Sequence, residues 1–414
     1  MGKEMRNDDR PAWARRIRAE RLARGWTQLD AVKAMQTHAE KPLARESLLR
    51  NWKRWEAGEV EPDDFHKPLI AKTFGIPTAA FFPRPTQGDT ELLAATGLDT
   101  LEIITRLRAS DVSLATIEAL QITADRLGRE YSHVRPDQLH VDGQAWLHRL
   151  IATLDRRLTL DQHREILAVA GQIALVVGCV EYDMSQGQPA ESTRRAALSL
   201  GQESGDANTV GWAHEMRAWY ALTRGQYRAA IAATEAGLAA VGPGQSVAVQ
   251  LLAHQAKAWA RVGDRRQVEV ALDRGRALLD KLPYPDNPEN HFVVDPEKWD
   301  FYTMDVYRHV GDDQLAQTYA SEVLRSSTGA DGTEHKPMRA AEAKVTLGVV
   351  AARSGDLDLA LAHGRKALAG ERRSLPSLLM VSRELGAVFT ERYPGEPEVV
   401  AYLEELRALR AAAA

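Results

Sequence analysis

The sequence predicts an all-α protein: a small N-terminal helical domain followed by an α-solenoid of helical hairpins. Three observations carry this expectation. Ala, Leu, Arg and Glu dominate nearly every segment, and apolar residues recur at i, i+3, i+4 and i+7, the period of a helix with one buried face. No stretch alternates apolar and polar residues as a half-buried strand does. A Gly-led turn followed by a second helix recurs in the C-terminal half, at Gly225, Gly263, Gly311 and Gly355, with separations of 38, 48 and 44 residues.

Helix one of the head runs through Arg16–Trp26, and Gly25 closes it as a C-cap residue. Thr27 is placed to cap helix two. Helix three is expected over Ala44–Ala57, and a fourth around Asp64–Phe74. Leu48, Leu49, Trp52 and Trp55 share one face of helix three and read as packing. Arg45, Arg50, Asn51, Lys53 and Arg54 need another face. There Arg50 can grip a guanine edge with two hydrogen bonds, Asn51 can pair with adenine, and Lys53 and Arg54 suit bases or phosphates. Residues 1–84 therefore form the head, ending at the breakers of Phe81–Gly88. Residues 85–160 read as a helical connector with helices at Leu98–Arg108 and Leu114–Glu130, the second capped by Ser110 or Asp111. Residues 161–414 hold the repeats, interrupted by the Pro283–Pro288 cluster.

Bulk properties agree with this layout. At 414 residues the chain has room for two or three domains. Its 44% hydrophobic and 27% charged residues make an ordinary globular balance. Residues 1–84 hold 17 basic and 12 acidic side chains, a net +5, while the remainder carries −9. A basic head on an acidic body suits one polyanion-binding end. The lone cysteine, Cys179, excludes a disulfide framework and a cysteine zinc site, and fits a reducing cytoplasm. Met1–Arg10 is charged and does not read as a signal peptide. No run of about 18 apolar residues is found, so no membrane span is expected.

The repeats have a common plan. Five residues after the turn glycine stands a small residue, Ala230, Ala316 or Ala360. Twelve or thirteen after it stands a pair such as Gly237-Leu238, Val323-Leu324 or Ala367-Leu368. A weaker copy lies earlier, with Gly178 in its first helix and Ala190 in its second. Over roughly residues 165–390 this pattern resembles tetratricopeptide repeats, with longer spacings than the usual ~34 residues and without the consensus proline. The head resembles the Cro/repressor-like helix-turn-helix class, also called the xenobiotic-response-element family. The matching pieces are Arg18 and Arg21, Gly25-Trp26-Thr27-Gln28, Trp55-Glu56-Ala57-Gly58 and Phe74-Gly75-Ile76. One departure is the longer stretch Gln36–Leu43 between helices two and three. The whole chain is similar to large actinobacterial regulators with this head and a repeat-built body, and in plan to peptide-pheromone-sensing regulators.

These resemblances imply a transcription regulator that binds double-stranded DNA as a homodimer through its second and third helices. Gln28 would lie near the DNA backbone, and Glu56 would pair with Arg18 or Arg21 of helix one. In tetratricopeptide geometry, positions 2, 5, 6, 9, 12 and 13 of each first helix line a concave groove. Counted back from the turn glycines, these include Trp212, Glu215, Met216 and Trp219, then Gln250, His254 and Arg261, then Lys298, Phe301, Tyr302, Asp305, Arg308 and His309. The weak first copy offers Tyr182 and Asp183, and the last offers Arg353. Rings mixed with charges of both signs suit a peptide or small-molecule effector. Control by a protein partner in the groove, or a scaffold without DNA binding, are the other readings. No cofactor is implied. Catalysis is not expected: there is no phosphate loop or nucleophile elbow, the histidines lack metal-ligand spacing, and Cys179 sits among valines as a small hydrophobe.

Overall fold

Capping chemistry sets the helix ends of the head. The computed structural model describes residues 10–39, 44–76, 78–82, 110–242 and 244–412. The chain divides into two compact units, residues 1–104 and 105–414. In the first, α1 (Ala12–Ala23) stops where Gly25 takes φ +65°, a left-handed conformation that costs glycine little. The Trp26 N–H then reaches back to Arg21 O at 3.1 Å and the Gly25 N–H to Leu22 O at 2.9 Å, satisfying carbonyls the helix leaves open. Thr27 caps α2 (Gln28–Gln36) as expected, and Asp30 completes a reciprocal capping box. α3 (Arg45–Ala57), α4 (His66–Phe74) and the short α5 (Thr78–Phe81) follow. Ile17, Met35, Leu48, Trp52 and Phe74 anchor one apolar core, with Leu49 only half-buried at its edge. Residues 40–43 of the long stretch after α2, the breakers at 83–88 and the helix expected at Leu98–Arg108 lie outside the described residues.

The second unit starts with α6 (Leu114–Glu130) and α7 (Pro136–Leu154). Ser113 caps α6, its hydroxyl accepting from the Thr116 N–H at 3.1 Å; Ser110, expected in that role, bonds Val112 instead. Sequence reasoning placed these helices in a connector. Leu127, Leu139 and Leu150 share one core with Ile173 and Val176 of the repeats, so α6 and α7 belong to the repeat unit. Consecutive hairpins follow: α8 (Leu160–Asp183) with α9 (Gly187–Ser204), α10 (Ala207–Thr223) with α11 (Tyr227–Ala240), and α12 (Val247–Val262) with α13 (Arg265–Leu279). Then come α14 (Pro296–Val310) with α15 (Asp313–Ser327), α16 (Pro337–Ser354) with α17 (Leu357–Leu368), and α18 (Leu375–Arg392) with α19 (Pro397–Ala412). There is no β-strand among the described residues.

The four repeat glycines all turn their hairpins in the left-handed region, with φ between +76° and +96°. Ala230, Ala316 and Ala360 are fully buried, which lets the paired helices approach closely. The long glycine separations come from two inserted segments, 280–295 before α14 and 328–336 before α16. α8 is long and apolar enough to cross a membrane by length and composition, contrary to expectation. Most of it is buried, because α7, α9, α10 and α18 cover it, and a helix covered on all sides is apolar all round. Cys179 lies on it, and burial pushes its thiol well above the ordinary range.

The array turns back on itself. α18 packs against α8 and α10, far earlier in the chain. Trp219 Nε1 donates to Ser377 Oγ at 2.8 Å. The Arg372 guanidinium donates to Tyr131 O at 2.6 Å and to Asp183 Oδ2 at 3.0 Å. Asp183, read from sequence as groove-lining, is thus part of this closure; burial raises its carboxyl despite Arg372.

Candidate functional site

In the head, one buried carboxylate holds three helices together. Glu56 accepts from Arg21 Nε at 2.5 Å and Nη2 at 3.0 Å, from Gln28 Nε2 at 2.8 Å and from Trp52 Nε1 at 2.9 Å. Burial alone would raise its pKa, but these donors outweigh it and hold the carboxyl below the ordinary range. Of the two arginines that sequence reasoning offered, Arg21 is the partner. Gln28 was expected to face DNA. It is half-buried, and its Nε2 donates to Glu56, which orients α2 against α3.

The fixed face of α3 determines its free one. Leu48, Trp52 and Trp55 point inward. At about 100° per residue, Arg50 lies opposite that stripe, Lys53 and Arg54 lie to either side of Arg50, and Asn51 sits at the stripe's edge. Arg45, Arg50, Lys53 and Arg54 are exposed, and Asn51 is half-buried. Their tethers are light. Arg45 Nε lies 3.4 Å from Gln36 Oε1, Arg50 Nη2 donates to Ser47 Oγ at 3.2 Å, and Arg54 sits 3.6 Å from Glu59. Exposed contacts of this kind contribute little and exchange readily for an anion.

In the repeat unit, the first helices of the hairpins surround a cavity of about 740 Å³. Six of the ten effector residues read from sequence line it: Glu215, Trp219, His254, Lys298, Phe301 and Tyr302. The other four do not. Trp212 and Met216 are fully buried in the core, Trp212 beneath the Lys298 ammonium and against Phe292, Met216 against Gly178. Asp305 and Arg308 are fully buried in an ion-pair ring with Arg261 and Glu384. Their charges answer each other across helices, so they are corrected from ligand groups to structural ones.

Each polar wall group has a distinct environment. Glu215 Oε1 accepts from Gln250 Nε2 at 2.6 Å and His254 Nε2 at 2.7 Å. Burial opposes its charge, yet these two bonds keep the carboxyl below its ordinary range. Lys298 Nζ donates to His291 O and, at 3.2 Å, to Val293 O, both in the 280–295 segment. Burial, with Arg339 nearby, lowers its ammonium to about 7. His291 is held neutral by burial and by Lys298. Phe301 and Tyr302 lie under cations: Lys257 Nζ is 5.9 and 5.4 Å from their ring centres, and the Arg339 guanidinium is 6.0 Å from Phe301.

Lys298 gives a pH signature. Its folded value of about 7 lies below the ordinary ~10.4 of lysine. Between the two, the unfolded chain holds a proton that the folded chain has released, so stability rises with pH; below about 7 both forms are protonated and the contribution is flat. Denaturant unfolding of wild type and Lys298→Met at several pH values should therefore show a difference that is constant below about 7. Above it the difference grows in favour of wild type, by at most ~1.4 kcal/mol per pH unit. Parallel profiles would refute a neutralised Lys298.

Sequence reasoning missed wall residues in two ways. Lys257 and Glu342 stand at positions nine and two of their helices by the same count that located the others, so the signal was present. Arg339 precedes the counted stretch, and Tyr131, Ser377 and Met380 come from α6–α7 and α18, which carry no repeat glycine. No group of three or more metal-ligating side chains is found among the described residues. No protein-family model matches the chain, and no curated protein matches it.

Proposed function

We propose that the chain is a DNA-binding transcription regulator whose repeat unit takes an effector in the cavity. The observation that carries the DNA reading is the division of α3. Its inner face is locked through Glu56, and its outer face presents Arg45, Arg50, Lys53 and Arg54 on a rigid helix. A helix fits the major groove, where each base pair shows a distinct set of donors and acceptors. The resemblance of the head to Cro/repressor-like proteins supports the same reading, with α2 crossing the backbone and α3 reading bases. Arg50 and Asn51 then contact base edges while Lys53 and Arg54 meet bases or phosphates. A homodimer would place two heads on half-sites about one helical turn apart. The repeat unit supports binding rather than catalysis, since its cavity has aromatic walls and a few placed charges. We place the protein's action in the cytoplasm.

Genome-wide footprinting, then titration of the recovered site, tests this reading. Arg50→Ala is expected to weaken operator binding by about 1–3 kcal/mol and to relax preference at one base pair. Lys53→Ala is expected to weaken all sequences alike and to flatten the salt dependence. An absence of protected sites, or wild-type operator affinity in the Arg50 variant, would sink it.

A further inference from the structure

The cavity's charges fall into two sets. Most are already answered within the protein. Glu215 is held by Gln250 and His254, Lys298 by two carbonyls, and Lys257 by Asp305 at 3.6 Å. Lys336 pairs with Glu297 at 2.5 Å, and Arg129 with Asp125 at 2.6 Å. Asp295 keeps a buried Oδ2 without a partner but caps α14 through Oδ1, and two further wall charges have orphan atoms. Arg339 Nη1 and Glu342 Oε2 are buried atoms with no hydrogen-bond partner. They stand three residues apart on α16, on one face and about 5–6 Å apart at Cβ, and yet form no ion pair with each other. The Arg339 guanidinium lies over the Phe301 ring instead, and Glu342 is 93% buried, its carboxyl raised by burial. Gln250 Oε1 and His254 Nδ1, on the adjoining wall, are buried acceptors without a donor. In the tautomer that donates from Nε2 to the Glu215 carboxylate, Nδ1 of His254 is an acceptor.

Buried polar atoms are normally hydrogen-bonded, and a buried charge is costly without a partner. A purely anionic ligand would answer Arg339 and leave the acceptors open. A purely cationic one would do the reverse. We propose that the cavity takes a small aromatic zwitterion of amino-acid type, its carboxylate on Arg339, its ammonium on Glu342 with Gln250 and His254, and its ring system against Phe301, Tyr302 and Trp219. The volume of about 740 Å³ fits such a molecule, since small-molecule sites span ~300–1,000 Å³. Met338 and Met380 add adaptable apolar wall for the rest of the ligand. This inference rests on the effector reading of the repeat unit and is independent of DNA binding.

The test uses the full-length protein without DNA and three fluorescent probes. Nε-dansyl-L-lysine carries both head groups, dansylcadaverine lacks the carboxylate, and 6-(dansylamino)hexanoate lacks the ammonium. The zwitterion is expected to bind at one site, about 10–100-fold more tightly than either relative. Arg339→Gln should remove its advantage over dansylcadaverine, and Glu342→Gln its advantage over the hexanoate. Arg339 is partly exposed and Glu342→Gln is isosteric, so both variants are expected to melt as wild type does, and thermal unfolding checks this. Equal binding of all three probes, or advantages that survive both substitutions, overturns the head-group assignment while the effector reading stands. No binding of any probe to folded wild type overturns the proposal, and footprinting of DNA is unaffected by either result.

Discussion

Replacing Asp305 with Ala is expected to destabilise the repeat unit by about 3–5 kcal/mol, the largest effect of any single substitution considered. Asp305 is fully buried on α14 and meets three cations. Arg261 Nη1 lies 2.8 Å from Oδ2, Arg308 Nη2 donates to Oδ1, and Lys257 is 3.6 Å away. Burial would raise its carboxyl, but Arg261, Arg308 and Lys257 drive it well below the ordinary range. Glu384 on α18 closes the ring, 2.7 Å from Arg261 and 2.8 Å from Arg308. Removing Asp305 strands two fully buried guanidinium groups beside one remaining carboxylate, and a buried charge without a partner costs far more than a lost surface pair. Denaturant midpoints of wild type and variant measure the loss. Adding Arg308→Met should recover part of it, because an apolar side chain needs no counter-charge. A loss under ~1 kcal/mol, or no recovery in the double variant, would show that the ring is solvated and its charges independent.

Glu56→Ala is the second large effect, expected to cost the head about 3–5 kcal/mol. The substitution leaves Arg21, Gln28 and Trp52 donors without their common acceptor, two of them near the core. A small domain has total stability near the lower end of ~5–15 kcal/mol, so a large share of heads should be unfolded. The head contains Trp13, Trp26, Trp52 and Trp55, and the near-ultraviolet signal of a fragment spanning residues 1–84 would report the change directly. Glu56→Gln is the informative companion: it keeps the acceptor oxygen and loses the charge, so it should fall between. If Glu56→Ala leaves that signal and its melting unchanged, the three-helix lock is not what holds α3.

Much of this architecture is legible in the sequence, and the reason differs by element. The hairpins are legible because their turns need a left-handed residue, and Gly225, Gly263, Gly311 and Gly355 each mark one. The pairing of Glu56 with helix one is legible from the resemblance, although only the structure selects Arg21 over Arg18. The first hairpin turns at Ser185, a non-glycine residue at φ +64°, which is why its copy of the repeat looks weak. Asp305 and Arg308 were misread because an inward position in a repeat faces neighbouring helices as well as the groove. Periodicity gives the face of a charge, not its partner. The closure through Ser377, Arg372 and Glu384 was illegible for a related reason: contacts across 158 or 189 residues leave no local pattern.

That closure sets how the repeat unit can grow and fail. In an open solenoid each repeat touches only its neighbours, so repeats can be added or deleted, and the ends fray before the middle. Here α18 is fastened to α8 and α10, and the Asp305 ring ties α12 and α14 to the same helix. Duplicating or losing one hairpin would move α18 out of register with its early partners, so the number of hairpins is fixed by geometry. For the same reason the unit should resist opening from its C-terminal end. Its slow-exchanging amides should extend into α18 instead of fading toward it, and loss of any hairpin should propagate through the whole set.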